Sequence, residues 1–96
     1  MRDRTSNPRI EFTNLFNKQR KESPLLIKVA FRDAMELFLQ DPLHKTFRNH
    51  HLQGKFAGYR SIDVTPDWRA IYKEMRVGEM IVFRFSALGT HKQLYG

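Results

Sequence analysis

A chain of 96 residues and 11.5 kDa has room for one domain of roughly 100 residues, which excludes an enzyme with a separate nucleotide-binding domain. Its 41% hydrophobic and 12% aromatic content is too rich for a disordered chain, and with no cysteine there is no disulfide framework, thiolate nucleophile or Cys-ligated zinc. The formal charge of +7, from 17 Lys and Arg against 10 Asp and Glu, asks for a polyanionic partner, nucleic acid before membrane or acidic protein. Residues 1–48 hold ten basic and six acidic side chains and residues 49–96 seven and four. The excess therefore belongs to the folded body and not to a basic arm. No apolar run approaches the ~18 residues of a membrane span, and Met1 to Pro8 offers no signal-peptide core. A cytoplasmic protein with no membrane partner is expected.

Residues 1–8 are polar and expected to be flexible. Arg9 to Thr13 alternates polar and apolar, as a short strand does. Thr13 and Asn14 offer capping oxygens to a charged helix over Leu15 to Glu22. Ser23-Pro24 reads as a restart, with Ser as N-cap and Pro in the first helical position. From Leu25 to about Gln40, Leu26, Ala30, Ala34, Leu37 and Phe38 recur at helical spacing, predicting one buried face with Lys28, Arg32 and Glu36 outward; Asp41-Pro42 ends it. After a polar link, strands are predicted over Phe56 to Val64, Trp68 to Lys73 and Met80 to Ala87, joined by a Thr65-Pro66-Asp67 turn and an Arg76-to-Glu79 hairpin loop. Thr90 to Gly96 reads as a short tail. The order gives an α+β fold, an N-terminal strand and two helices packed on one face of a small, mainly antiparallel sheet, all within a single domain over 1–96. The opposite face is left open for a strand of nucleic acid.

Every side chain suited to catalysis except His44 lies beyond residue 49: His50, His51, Arg60, Asp63, Asp67, Arg69, Arg84, His91 and Tyr95. Cleaving RNA without a metal needs a base for the 2′-OH, an acid for the leaving 5′-oxygen and cations on the phosphorane. Histidine and arginine are the natural carriers of these roles. His44, His50, His51 and His91 have no compact ligand spacing, so no metal site is expected, nor any other cofactor. His50 and His51 are adjacent and point to opposite sides of an extended stretch, so one of them, His50 by preference, belongs to a site. Arg84, between the core-facing Phe83 and Phe85, points to the open face. Arg69 shares a face with Ile71 and reaches a cleft at its rim. Asp63 sits on a strand that disfavours Asp, which marks it for function or for pairing with Arg60. Asp67 is as well explained as a turn residue bonding its own backbone, and Trp68 as packing.

The run His50-His51-Leu52-Gln53-Gly54, then Gly58-Tyr59-Arg60, Pro66-Asp67-Trp68, Ile71-Tyr72-Lys73 and finally Gly89-Thr90-His91-Lys92-Gln93-Leu94-Tyr95-Gly96 resembles the C-terminal half of the YafQ branch of the RelE/ParE toxin superfamily. The preceding strand and helices match in order and length. The resemblance implies a RelE-like fold and a bacterial type II toxin that cuts messenger RNA in the ribosomal A site. The implied reaction is a metal-independent 2′-OH transesterification leaving a 2′,3′-cyclic phosphate. It implies as partners the ribosome, with its 16S rRNA and bound message, and a cognate antitoxin with an acidic neutralising segment. On this pattern His50, Asp67 and His91 match catalytic positions, and Tyr95 a terminal aromatic that stacks on a base. Asp63 stands where the family commonly has a second catalytic His. Arg69 resembles the phosphate-binding Arg of the RelE and YoeB branches.

The expected roles are His91 as general acid, Asp67 or His50 as general base, and Arg60, Arg69 and Arg84 on phosphate, with Tyr95 positioning the scissile nucleotide. Lys18 and Lys21, on a solvated helical face, are candidates for ribosomal RNA. Two alternatives stay open on the sequence. One is a ParE-like inhibitor of DNA gyrase on the same fold, against which Gly-Thr-His argues. The other is a noncatalytic member that binds antitoxin or RNA, motivated by Asp63.

Overall fold

The computed structural model describes residues 8–96; the expectation of a flexible N-terminus over residues 1–8 lies, Pro8 apart, outside the described residues. The elements are β1 (Arg9–Phe12), α1 (Asn14–Glu22), α2 (Leu25–Gln40), β2 (His50–His51), β3 (Arg60–Asp63), β4 (Trp68–Val77), β5 (Met80–Thr90) and α3 (His91–Tyr95). Two 3-10 turns lie at Lys45–Phe47 and Gly54–Phe56. The five strands form one sheet in the order β1-β5-β4-β3-β2, with β1 parallel to β5 and every other pair antiparallel. Helices α1 and α2 cover one face, as the element order predicts.

Thr13 starts α1 as its N-cap: its Oγ1 accepts from the Phe16 amide at 3.1 Å and donates to the Ser86 carbonyl at 3.1 Å. Ser23 does not cap α2. Its hydroxyl turns back to the Arg20 carbonyl at 2.7 Å and closes α1. Pro24, with ψ 153°, stays outside the helix, and its carbonyl receives the amides of Ile27 and Lys28. The predicted stripe of α2 holds in its second half, where Phe38 is buried and Ala34 and Leu37 pack against the core, but its first turns are led by Ile27 and Phe31 and not by Leu26 and Ala30. Ile27, Phe31 and Phe38 are buried, whereas Leu26 is 81% exposed and Leu25 72%. Both stripes satisfy a 3.6-residue period because Leu25, Leu26 and Ile27 are all apolar. Phe31 decides between them, since a phenylalanine ring removes far more area from water than Ala30 does.

That face of the sheet is an aromatic core. Phe38 lies 4.9–5.8 Å, centroid to centroid, from Phe47, Tyr72, Phe83 and Phe85. Phe12, Phe16 and Phe31 continue the cluster, and the Arg20 guanidinium lies 4.4 Å from the Phe12 centroid. Trp68 packs against the same core, in line with its expected packing role.

Three sheet boundaries depart from prediction. Strand β3 begins at Arg60, because Gly54 to Phe56 winds into a 3-10 turn and Gly58, at φ +92°, holds a conformation closed to residues with a Cβ. The β4–β5 hairpin is tighter than a four-residue loop: Arg76 pairs with Ile81 and Val77 with Met80, leaving two residues in the turn. Strand β5 runs on to Thr90 through a bulge, where Ile71 opposes Ala87 but Tyr72 opposes Phe85. Ser86 is thereby unpaired, and the side-chain alternation changes phase. Phe83, Phe85 and Leu88 face the helices, while Ala87 turns to the other side.

The other face is not open throughout. Ile71, Ala87 and Leu94 make a second small core there, flanked by Leu52, Phe56, Tyr59 and Tyr95. The predicted tail is the helix α3, and it covers the end of the sheet. What stays open is the hollow between α3 and β2.

Candidate active site

The sheet register sets the floor of that hollow. On one face His50 lies opposite Ser61, and in the next row Asp63 lies opposite Arg69, which lies opposite Gly89. Residues directly across neighbouring strands share a face. Three strands therefore bring a histidine, a carboxylate and an arginine beside the start of α3.

Gly89 and Thr90 fix where α3 starts. Thr90 Oγ1 accepts from the Gln93 amide at 3.1 Å, and Gln93 Oε1 accepts from the Thr90 amide at 2.8 Å, a reciprocal capping box. A Cβ on residue 89 would meet Gln93 Oε1 at 3.0 Å and Leu94 Cδ2 at 3.4 Å. The helix sits that close only over glycine. His91 is thus held at the first turn, its ring 4.8 Å from that of Tyr95, which packs edge-on to Phe56 at 5.9 Å.

The hollow measures ≈ 430 Å³ and is lined by His50, Asp63, Arg69, His91 and Tyr95, together with Ser61 and Arg48. Five of the ten expected site residues are brought together here. Asp63 pairs not with Arg60 but with Arg69, Nε to Oδ1 at 3.1 Å, and with Arg48, Nε to Oδ2 at 3.3 Å. The Asp63 and Arg69 side chains are only 13% and 16% exposed, so Arg69 stands in the floor and not at the rim. Its Nη1 also donates to the Pro66 carbonyl at 2.7 Å. His50 Nδ1 is 2.8 Å from the Arg48 carbonyl. A carbonyl only accepts, so Nδ1 carries the proton, and in the neutral ring Nε2 keeps its lone pair.

The remaining five lie elsewhere. Arg60 opposes Tyr72 and His51, on the helix side of the sheet, and donates to Asn49 Oδ1 at 2.9 Å and to His51 Nε2 at 3.0 Å. This corrects its placement on the open face and separates His51 from the site. Arg84 does point away from the helices, but it pairs with Glu11 at 3.2 Å, on the far side of the bulge from the hollow. Asp67 is exposed on its turn, which is closed by Thr65 Oγ1 accepting from the Asp67 and Trp68 amides and not by an Asp67 side-chain bond. Lys18 and Lys21 are exposed on α1, Lys18 within 3.7 Å of Glu22.

Sequence reasoning missed Arg48 and Ser61. Arg48 is the one non-glycine residue with positive φ among the described residues (φ 48°, ψ 43°), a conformation costing on the order of 1 kcal/mol that no local motif announces. Ser61 is fully buried and its hydroxyl has no partner; the Tyr95 hydroxyl is likewise buried and unpaired. The capping box Thr90-x-x-Gln93 was readable in the sequence and would have converted the tail into a helix. Among the described residues no group of three or more His, Asp or Glu side chains is arranged to hold a metal, and no helix is long and apolar enough to cross a membrane.

Comparison with known proteins gives this arrangement its context. The crystal structure of YafQ from E. coli strain BL21(DE3) superposes with a TM-score of 0.73 at 30% identity, covering 93% of this chain and 99% of that one. The E. coli DinJ-YafQ toxin-antitoxin complex superposes at 0.70 and 28% identity, covering 94% and 99%. The fold is therefore that of a toxin from a type II toxin-antitoxin system. In sequence, the mRNA interferase toxin YafQ of E. coli strain B/BL21-DE3 is 40% identical over 91 residues, 91% of this chain and 95% of that one. The toxin of the same name from strain K12 is 42% identical over 55 residues, a match spanning 57% of this chain and 55% of the relative. Residues 8–96 match the family described as bacterial toxin of type II toxin-antitoxin system, YafQ, and the chain belongs to that family.

Proposed function

We propose that this chain is an endoribonuclease that cuts messenger RNA in the ribosomal A site, by a transesterification that asks for no metal ion. The observation that carries the reading is the gathering of His50, His91 and Arg69 in one hollow. His50 Nε2 takes the proton of the 2′-OH as that oxygen attacks the adjacent phosphorus. The bond from phosphorus to O5′ breaks as His91 gives O5′ a proton, leaving a 2′,3′-cyclic phosphate and a free 5′-hydroxyl. Arg69 offsets the charge of the phosphorane, and Tyr95 presents its ring to the scissile nucleotide. Between the two bases that the sequence allows, His50 is preferred over Asp67 because it lines the hollow and Asp67 does not. Arg60 and Arg84, already engaged away from the hollow, drop out of the reaction. Lys18 and Lys21 are left as contacts to ribosomal RNA.

The same reading makes the chain a single toxin domain of the bacterial cytoplasm, silenced by an antitoxin with an acidic segment. A relative crystallised as the DinJ-YafQ complex supports that partnership. Primer extension on translated message after expression is the test: codon-spaced cuts are expected, reduced ~100-fold or more by His91→Ala. Equal cutting by His91→Ala overturns the roles. Inhibition of gyrase supercoiling with no cuts overturns the activity.

A further inference from the structure

We propose that Asp63 is a positioning residue that sets Arg48 and Arg69 as a two-guanidinium clamp for an internal phosphodiester of single-stranded RNA. The inference rests on the endoribonuclease reading and adds to it a phosphate-binding residue, Arg48, and a role for the aspartate. Each oxygen of Asp63 forms an ion pair with the Nε of one arginine, Arg69 at 3.1 Å and Arg48 at 3.3 Å. Of the Nη groups, one belonging to Arg69 is spent on the Pro66 carbonyl. The other, and both of Arg48, have no hydrogen-bond partner among the described residues. Two cations share one anion, so the cluster keeps a net positive charge and a set of donors aimed away from the carboxylate. Planar forks of this kind suit phosphate oxygens.

The clamp stands on a divide. Arg48, Asp63 and Arg69 line the ≈ 430 Å³ hollow and also a second one of ≈ 650 Å³, walled on its far side by Ala30, Ala34, Leu37 and Val64. An anion held on the divide with a nucleoside in each hollow is an internal phosphodiester; free phosphate would leave both hollows empty. The apolar walls of the second hollow suit the face of a base. The left-handed backbone of Arg48 serves both halves, sending the side chain to Asp63 and the carbonyl to His50 Nδ1. With each of its oxygens already paired to a guanidinium, Asp63 is an orienting group and not a proton carrier.

Arg48→Ala and Asp63→Asn test this, with a short 2′-O-methyl oligoribonucleotide, which lacks the nucleophile, as the binding probe. Arg48→Ala is expected to bind it about 10-fold more weakly, with a salt slope shallower by about 0.7. Asp63→Asn, having lost a negative charge, is expected to bind no more weakly. It should cut ribosome-bound message about 10-fold slower at every pH, with both limbs of the pH–rate profile in place. Unchanged affinity and slope in Arg48→Ala overturn the clamp, as does failure of the wild type to bind the probe. Asp63→Asn cutting as fast as wild type makes the aspartate a mere competitor for the arginines, and loss of a pH limb makes it a proton carrier; either result overturns its positioning role. The Arg48 side chain is 76% exposed, so its variant folds and decides the clamp even where Asp63→Asn does not. If the wild type binds the probe but never cuts on ribosomes, the endoribonuclease reading falls, and the Arg48→Ala binding result still stands by itself.

Discussion

Gly89→Ala is the smallest change that separates the fold from the site. Gly89 has no positive φ to protect, so the penalty is steric alone. The new methyl meets Gln93 Oε1 at 3.0 Å, Gln93 Cβ at 3.3 Å and Leu94 Cδ2 at 3.4 Å. Relief requires α3 to lift by a few tenths of an ångström, which stretches the 2.8 Å bond from the Thr90 amide to Gln93 Oε1. Overpacking of this kind and a weakened cap together cost about 1–2 kcal/mol, or roughly 4–10 °C in melting temperature for a domain of this size. A misplacement of about 1 Å in a reacting group can cost ~100-fold, so a few tenths should slow single-turnover cleavage about 10-fold through His91. Thermal unfolding and cleavage on programmed ribosomes measure the two effects. The double change Gly89→Ala with Gln93→Ala removes the shortest of the three contacts and should recover part of the loss in melting temperature. A Gly89→Ala protein that melts and cuts like the wild type would show that α3 does not need this close approach, and the account of His91 placement would fail.

Three further outcomes follow from the core. Phe38→Ala, which empties the centre of the aromatic cluster, should cost about 3–5 kcal/mol by urea denaturation; that is a large share of the roughly 5–15 kcal/mol available to a domain, and a loss under 1 kcal/mol contradicts the packing described. Leu26→Ser, on the exposed side of α2, should stay within about 0.5 kcal/mol of wild type, whereas Ile27→Ala should lose about 2 kcal/mol or more; the reverse order would restore the stripe expected from sequence. Burial raises the Tyr72 phenol above its ordinary 10.0, partly opposed by the hydrogen bond from Asn49. Above that value the unfolded chain gives up a proton that the folded one retains, so stability falls as pH rises. Tyr72→Phe, weaker by about 1 kcal/mol at neutral pH through its lost partner, should therefore close the gap on wild type between about pH 8 and about pH 11; a constant gap refutes the shift.

How much of this was legible in the sequence varies with the length scale of the signal. The strand at Arg9 to Phe12, the Thr13 cap and the long helix α2 are announced by periodicity and capping chemistry, which are local. The phase of its first two turns was not, because three consecutive apolar residues open the helix and only the sheet selects Phe31 over Ala30. Strand β2 is two residues long and exists only through its pairing with β3. The site followed the same rule. Alternation alone separates His50 from His51, and the Gly-Thr turn marks His91. The partner of Asp63 depended on strand register, and register placed Arg69 opposite it while leaving Arg60 to face Tyr72. Arg48 reaches the site through an unusual backbone conformation that its own neighbours do not encode.

The bulge at Ser86 has a consequence for how this strand tolerates change. With strict alternation, Leu88 would sit in the hollow and Gly89 under the helices. One unpaired residue therefore acts as a joint between two halves of β5 that obey opposite parity. The first half serves the aromatic core through Phe83 and Phe85; the second serves that core through Leu88 and, from the alternate positions Ala87 and Gly89, meets α3. The segment beyond Ser86 can then be exchanged with the joint retained, provided that position 88 still fills the hydrophobic layer beneath. Deleting one residue at the joint does the opposite, inverting every side chain beyond it while leaving the sheet hydrogen-bonded.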